Sequence, residues 1–319
     1  MASEAVTVSI IVPLYNEEKV FPVLIERLNK VVADVDYPVE VVLVNDGSSD
    51  ATPQQMMALA LDNPTYQCVF LSKNYGHQIA LTAGLSLARG KEAIMVIDGD
   101  LQDPPELLPD FYDKIKEGFD VVYGVRKNRK EGIPKRISYY LFYRILKNIA
   151  GIDLPLDSGD FGMMSRRVVD IMNKMPEQSR YLRGMRAWVG FNQVGIPYER
   201  SKRVAGEPKY DFKMLSRLAY NGIFNFSDVP IKILTRLGFL SIGSSVCYFI
   251  YSIIVKYTTD TVPSGFTALL FVIILFGGVQ LISIGILGEY VIRMFFQVKN
   301  RPIFIVKEKI VDQELIKEQ

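Results

Sequence analysis

The stretch Ala93-Ile94-Met95-Val96-Ile97-Asp98-Gly99-Asp100-Leu101-Gln102-Asp103 joins an apolar run to a turn of acids and an amide. The run has the length and composition of a buried strand. In an open α/β sheet, ligands bind at the carboxyl ends of the strands. Gly99 is read here as the residue that lets the backbone turn tightly between Asp98 and Asp100. Two carboxylates so close repel each other, and burying them without a cation is costly. Hard oxygen ligands with the amide of Gln102 suit Mg²⁺ or Mn²⁺, shared with the phosphates of a substrate. An acidic surface turn is the competing reading, because Asp-Gly is ordinary turn chemistry.

The neighbouring segments repeat the pattern. Val6 to Val12 reads as a first strand closed by Pro13, and Asn16 as the cap of a helix whose apolar face is Phe21, Leu24, Ile25, Leu28, Val31 and Val32. Val39 to Val44 is a second strand, ending in Asn45-Asp46-Gly47-Ser48-Ser49-Asp50. Gln67 to Leu71 is a third, followed by Lys73-Asn74-Tyr75-Gly76-His77 and a small-residue helix through Arg89; Asp120 to Tyr123 is a fifth. Strands alternating with helices predict a mostly parallel, Rossmann-like α/β sheet with right-handed crossovers. Several strand ends rich in Asp, Asn, Glu and Gly point to a nucleotide-sized ligand along one edge. Neither G-x-G-x-x-G nor a P-loop occurs, so the phosphates are left to a cation and to basic side chains.

Those side chains cluster between Arg126 and Lys147, where Arg126, Lys127, Arg129, Lys130, Lys135, Arg136, Arg144 and Lys147 face the single acid Glu131. With Pro134 as a helix start and Tyr139, Tyr140, Phe142 and Tyr143 among them, this reads as an amphipathic helix at a lipid headgroup boundary. A solvated basic face and a nucleic-acid surface are the alternatives. Asp157-Ser158-Gly159-Asp160 is a turn whose two acids hint at substrate handling. Gln178 to Val189 reads as a helix carrying Arg180, Arg183, Arg186 and Trp188, the last suited equally to an interface or to the core. Tyr198 to Tyr210 is a second basic loop, a lid over an anionic substrate or a plain connector.

The chain has 319 residues, 37 Lys plus Arg against 35 Asp plus Glu, and a net charge of +2 that singles out no partner. Cys68 and Cys247 have no metal-ligand spacing and fit a reducing compartment. The single histidine, His77, excludes a multi-histidine metal site and argues against histidine-based nucleophilic catalysis. The start, Met1-Ala2-Ser3-Glu4-Ala5, lacks the basic and apolar regions of a secretory signal. Leu237 to Val255 and Thr261 to Gly288 contain no charged residue, and each is long enough to cross a hydrocarbon core of about 30 Å. A buried pair of core helices is the bland alternative. Lys232, Arg236, Arg293, Lys299 and Arg301 flank the pair, which puts both its ends, and so both termini, in the cytoplasm. Gly238, Gly243, Gly277, Gly278, Gly285 and Gly288 allow close helix packing and favour a homo-oligomer. Arg301 to Val306 reads as a strand added to a sheet edge, its own or a neighbour's, and the last residues as a solvated tail.

Taken in order, Pro13-x-Tyr15-Asn16-Glu17, Asn45-Asp46-Gly47-Ser48-x-Asp50, Asp98-x-Asp100 and Asp157-x-Gly159-Asp160 resemble the motifs of inverting family-2 glycosyltransferases of the GT-A fold. With the membrane hairpin, essentially the whole chain resembles the polyprenyl-phosphate glycosyltransferases: dolichyl-phosphate mannose synthase-like enzymes and, more closely, bacterial bactoprenol glucosyltransferases. The resemblance implies a cytosolic catalytic domain over 1–228, a transmembrane hairpin over 229–293 and a cytosolic strand and tail over 294–319. It implies transfer of one sugar, glucose from UDP-glucose ahead of mannose from GDP-mannose, onto polyprenyl phosphate at the bacterial plasma membrane. Pro13, Tyr15 and Glu17 would line the nucleotide with Asp46 near the base; Asp98, Asp100 and Gln102 would sit at Mg²⁺ or Mn²⁺ and the pyrophosphate. Arg126, Arg136 and Arg200 would hold phosphates, and Asp157 or Asp160 would orient the acceptor or take its proton. Arg183-Gly184-Met185-Arg186-Ala187-Trp188 only approximates the Q-x-x-R-W motif of processive relatives, which argues against polymer synthesis. A non-catalytic nucleotide-sugar-binding scaffold is the reading from another class. The acidic strand ends disfavour nucleic acid.

Overall fold

The computed structural model describes residues 5–127, 158–200, 229–259 and 265–317. In chain order the elements are β1 (Val8–Leu14), α1 (Phe21–Ala33), β2 (Val39–Asn45), α2 (Thr52–Asp62), β3 (Tyr66–Leu71), α3 (His77–Leu87), β4 (Ala93–Val96), α4 (Leu108–Lys116), β5 (Val121–Lys127), β6 (Ser158–Ser165), α5 (Arg166–Lys174), α6 (Leu182–Val189), β7 (Gln193–Glu199), α7 (Val229–Thr259), α8 (Phe266–Val298), β8 (Val306–Val311) and β9 (Glu314–Lys317). The described strands form one mixed sheet in the order β7-β5-β6-β4-β1-β2-β3-β8-β9. Pairing is parallel through β4, β1, β2 and β3, and between β5 and β7; β6 and β8 run against their neighbours. This is the mostly parallel α/β sheet that the strand–helix alternation predicts.

Side chains alternate across each strand, so both faces of the central strands are apolar. Ile10 and Val12 point with Leu24, Leu28, Met56 and Phe111 of α1, α2 and α4. Ile11 and Val42 point with Leu81, Val168, Met172 and Met185 of α3, α5 and α6. The strand ends therefore lie between two helical layers, with their carboxyl ends free to carry polar loops.

Pro13 does not close β1, which runs on to Leu14. The last β1–β4 pair is Ile11 with Val96, and the Ile97 N–H donates to the Ile11 carbonyl. Alternate residues face the same neighbour, so the missing N–H of Pro13 falls just past the end of β4, where no partner needs it. Asn16 is not a helix cap either. It lies at φ 55°, its Oδ1 accepts the Ser49 N–H at 2.8 Å and its own N–H donates to Ser48 Oγ at 3.0 Å. It knits the loop after β1 to the loop after β2.

The segment expected as a tail is a strand. Asp312 and Gln313, with φ of 50° and 66°, make a two-residue turn between β8 and β9, the connection whose positive angles match strand twist. The strand after the second long helix lies at Val306–Val311, later than expected, and adds to β3 of its own sheet. Arg89 fastens it: Nε donates to Glu40 Oε2 at 2.7 Å, and Nη1 to both oxygens of Asp312 at 3.0 and 2.9 Å. Within α7 and α8, Val229–Val255 and Val272–Val298 are long and apolar enough to cross a membrane, and none of either window is buried inside the molecule. They are not the core helices of the bland reading. Trp188 is 63% exposed, so it does not anchor the core. The expected amphipathic helix beyond Lys127, with Arg136 and Asp157, and the loop past Arg200 lie outside the described residues.

Candidate active site

Three loops meet above the carboxyl ends of β1, β2 and β3. Asp46, 3% exposed at the end of β2, accepts the backbone N–H groups of Tyr75 at 2.7 Å and Gly76 at 2.9 Å on its two oxygens. Burial pushes its carboxyl pKa up, and those two hydrogen bonds oppose the rise. Glu17 N–H donates to Thr52 Oγ1 at 3.0 Å and Glu18 N–H to Asp50 Oδ2 at 3.1 Å. Tyr15 stands exposed beside them.

Gly47, at φ 68°, allows the loops to close together: a Cβ there would lie 2.5 Å from the Asn74 nitrogen and the Lys73 carbonyl carbon. Gly47→Ala is expected to cost about 1–3 kcal/mol, from the left-handed backbone and the displaced Lys73–Asn74 loop. Thermal denaturation reads the loss; an unchanged midpoint would mean that the loop shifts freely.

The acids at the end of β4 flank the expected turn at Gly99 and Asp100, and close backbone approach fixes glycine there. The positive φ, 60°, belongs to Leu101. A Cβ on Gly99 would meet Leu14 Cδ2 at 2.6 Å and the Pro13 carbonyl oxygen at 2.9 Å, so glycine is required there for space. The Gln102 N–H donates to Asp100 Oδ1 at 3.1 Å.

Around these acids the fold gathers cations. His77, at the start of α3, has Nε2 3.4 Å from Asp98 Oδ1 and 3.5 Å from Asp160 Oδ2. Asp160 comes from β6; it also accepts Gln78 Nε2 at 2.8 Å and pairs with Arg183 Nε of α6 at 3.2 Å. Burial opposes protonation of His77, but Asp160 and Asp98 outweigh it and raise its pKa to about 9. Burial likewise opposes ionisation of Asp160, yet Arg183 and His77 hold its carboxyl well below the usual range. Arg186, 4% exposed, donates to the Gly159 carbonyl at 3.2 Å, and burial lowers its pKa to about 10.

On the β5 and β7 side, Tyr198 donates from its hydroxyl to Asp103 Oδ1 at 2.6 Å, and Arg126 Nε donates to that hydroxyl at 3.3 Å. Arg200 stands 3.6 Å from Asp103 and 3.8 Å from Asp98. Burial, with the charge of Asp98, pushes the Asp103 carboxyl up to about 6. A Cβ on Gly159 would lie 3.0 Å from Arg126 Nη2, so the glycine before Asp160 makes room for that guanidinium.

The residues singled out in the sequence thus meet in one place where they are described: Asp98 with Arg200, Asp160 across His77, and Arg126 beside Gly159. Asp157 and Arg136 lie outside the described residues. Sequence reasoning assigned no role to His77, Gln78, Asp103, Arg183, Arg186 or Tyr198. Arg183 and Arg186 left a trace in the approximate Q-x-x-R-W segment, and Asp103 as the third acid of its turn. His77, Gln78 and Tyr198 carried no signal, because contacts across 82 to 95 positions of sequence bring the last two to Asp160 and Asp103.

The acids suit a cation. Asp98 Oδ1 is buried and accepts no hydrogen bond among the described residues, and burial raises its carboxyl pKa, with Asp100 and Asp160 adding to the rise against His77 and Arg200. No group of three His, Cys, Asp or Glu side chains that could hold a metal occurs among the described residues. Two carboxylates with substrate phosphates is the way Mg²⁺ is commonly held, without an all-protein cage.

The sequence model of glycosyl transferase family 2 matches residues 9–171. The chain is 39% identical to the uncharacterized glycosyltransferase YkcC of Bacillus subtilis over 99% of both chains. It is 37% identical to the SfII prophage-derived bactoprenol glucosyl transferase of Shigella flexneri, over 94% of this chain and 97% of that one. Among solved structures, the mannosyltransferase PcManGT of Pyrobaculum calidifontis, in complex with GDP-Man and Mn²⁺, is 18% identical with a TM-score of 0.44, covering 92% of this chain and 86% of that one.

Proposed function

This chain belongs to glycosyl transferase family 2, and we propose that it transfers one glucose from UDP-glucose to a polyprenyl phosphate at the cytoplasmic face of a bacterial membrane. The observation that carries the reading is the meeting of acids and arginines at the strand ends on the side where α8 rejoins the sheet. Val306, the first residue of β8, pairs with Leu71 at the carboxyl end of β3, so the end of the second long helix and the acidic loops share one side. β7, earlier in the chain than the hairpin, and β8, after it, belong to one sheet, which supports an even number of crossings with both sides of the hairpin cytoplasmic. The glucosyl transferase relative supplies the acceptor and the sugar.

In this reading Pro13, Tyr15, Glu17 and the loop held by Asp46 line the nucleotide. Asp98, Asp100 and Gln102 hold Mg²⁺ or Mn²⁺, which when bound supplies positive charge at the leaving diphosphate. Arg126, Arg136 and Arg200 hold phosphates, and fixed positive charge where negative charge develops is commonly the largest single contribution to rate. A phosphate monoester with a second pKa near ~6 is largely dianionic at neutral pH and needs little help from a base. Asp160, kept ionised by Arg183 and His77, orients the acceptor side rather than accepting a proton. Direct attack from the face opposite the leaving group inverts the anomeric carbon. The glycine-rich faces of α7 and α8 favour self-association.

The test is conversion of radiolabelled UDP-glucose into an organic-extractable product by the full chain with undecaprenyl phosphate and Mg²⁺ or Mn²⁺. Labelled lipid is the expected outcome. Labelled lipid from GDP-mannose alone would reassign the sugar, and donor binding without transfer to any lipid would leave a binding scaffold.

A further inference from the structure

The connection between α5 and α6 has no regular structure, yet it is tied down along its length. Arg180 donates from Nη1 to the Met172 carbonyl at 3.0 Å, which also accepts the Met175 N–H, and from Nη2 to the Met175 carbonyl at 2.7 Å, capping the end of α5. The Gln178 N–H donates to Gln297 Oε1 at 3.3 Å, and its Nε2 to the Arg301 carbonyl at 3.0 Å. Gln297 Nε2 donates in turn to the Pro176 carbonyl. Gln297 lies in the last turn of α8 and Arg301 just beyond it. At the other end, the Leu182 N–H, unpaired within α6 by its position, donates to Gln78 Oε1 at 2.8 Å. The same amide donates from Nε2 to Asp160 Oδ2 at 2.8 Å. Arg183, the next residue along, pairs with that carboxylate.

Hydrogen bonds at its two ends, joined by the backbone of 178–182, therefore connect the end of the membrane-length helix to the carboxylate in the site. We propose that Pro176 to Tyr181 is a strut that sets the acceptor side of the site against the bilayer end of α8, with Gln297 and Gln78 as its positioning residues. The inference rests on the reading of the chain as a transferase acting on a lipid phosphate. A lipid phosphate is confined to the headgroup plane, whereas the nucleotide sugar arrives from water. Only the lipid substrate requires the site to be held at a fixed height above the bilayer. Misplacement of reacting groups by about 1 Å costs up to about 10²-fold in rate.

The experiment uses the full chain in phosphatidylethanolamine–phosphatidylglycerol vesicles, with undecaprenyl phosphate or a water-soluble short-chain prenyl phosphate as acceptor. For Gln297→Ala the KM for undecaprenyl phosphate is expected to rise about tenfold, while turnover of the soluble acceptor and the KM for UDP-glucose stay within about twofold. Hydrogen exchange in the 176–181 peptide should quicken in the same variant. Gln78→Glu still accepts the Leu182 N–H but sets a second carboxylate against Asp160, so kcat should fall on both acceptors at an unchanged donor KM. Should Gln297→Ala fail to accumulate, Gln178→Ala removes the Arg301 contact from the loop side and predicts the same split. For Gln297→Ala or Gln178→Ala, equal slowing on both acceptors, or no change on either, overturns the strut. Wild-type protein inactive on both acceptors overturns the transfer reading instead, and unchanged exchange at 176–181 then overturns the strut independently.

Discussion

Asp98→Asn is expected to lower kcat/KM by about 10²–10³-fold, because it weakens the hold on the cation that would stabilise the charge developing on the leaving diphosphate. The same variant should be as stable as the parent or more so. Burial, with Asp100 and Asp160 nearby, raises the Asp98 carboxyl pKa above its usual value in spite of His77 and Arg200. A carboxyl whose pKa is higher folded than unfolded costs stability once pH exceeds the unfolded value, because the buried charge must be kept. The neutral amide removes that cost at neutral pH. Steady-state rates and the thermal midpoint, measured together, check both halves. A variant with wild-type turnover would remove Asp98 from the charge-bearing part of the site, and a clear drop in midpoint would mean that the carboxylate is a structural partner of His77 instead.

Asp160→Ala should fail in the opposite way, losing stability and activity together. The side chain is 11% exposed and pairs with Arg183 at 3.2 Å and His77 at 3.5 Å, while Gln78 donates to it at 2.8 Å. Without the carboxylate, two cations face each other near Arg186 with nothing between them. Removing one partner of a buried ionic cluster costs about 3–5 kcal/mol. The sign with pH follows from the depressed pKa, which Arg183 and His77 maintain against burial. Its stabilising contribution is complete above the ordinary aspartate range, near ~4, and fades as pH falls below it. Chemical denaturation at neutral and acidic pH should therefore show the parent and Asp160→Ala converging on acidification. Parallel curves would mean that Asp160 is not the counter-charge of the cluster.

Much of the architecture was legible because burial leaves a local mark. Each central strand is an apolar run of roughly strand length, and α1 repeats its apolar residues Phe21, Leu24, Ile25, Leu28 and Val31 at helical spacing. The strand ends were legible for the same reason, since polar, glycine-containing loops follow each run. Pro13 misled because a proline ends a strand only where its missing N–H faces a paired neighbour; at β1 the neighbour had already ended. Asn16 misled because its side chain serves a loop from the next βα unit, a partner that local sequence does not show. Gly99 sits in the turn that the sequence implied, and space against Leu14 and Pro13, which local sequence does not show, is what demands glycine there.

By itself the sequence determined the mostly parallel α/β sheet, the two membrane-length helices and the acids at the end of β4, because strand, helix and turn chemistry act over a few residues. Only the tertiary structure decided what surrounds those acids. His77 reaches Asp98 and Asp160, Arg183 comes from α6, Tyr198 and Arg200 arrive from the far edge of the sheet, and β8 and β9 return from the last helix to join it. Charge compensation and sheet-edge pairing operate through space, and no periodicity along the chain records which distant residue will supply the partner.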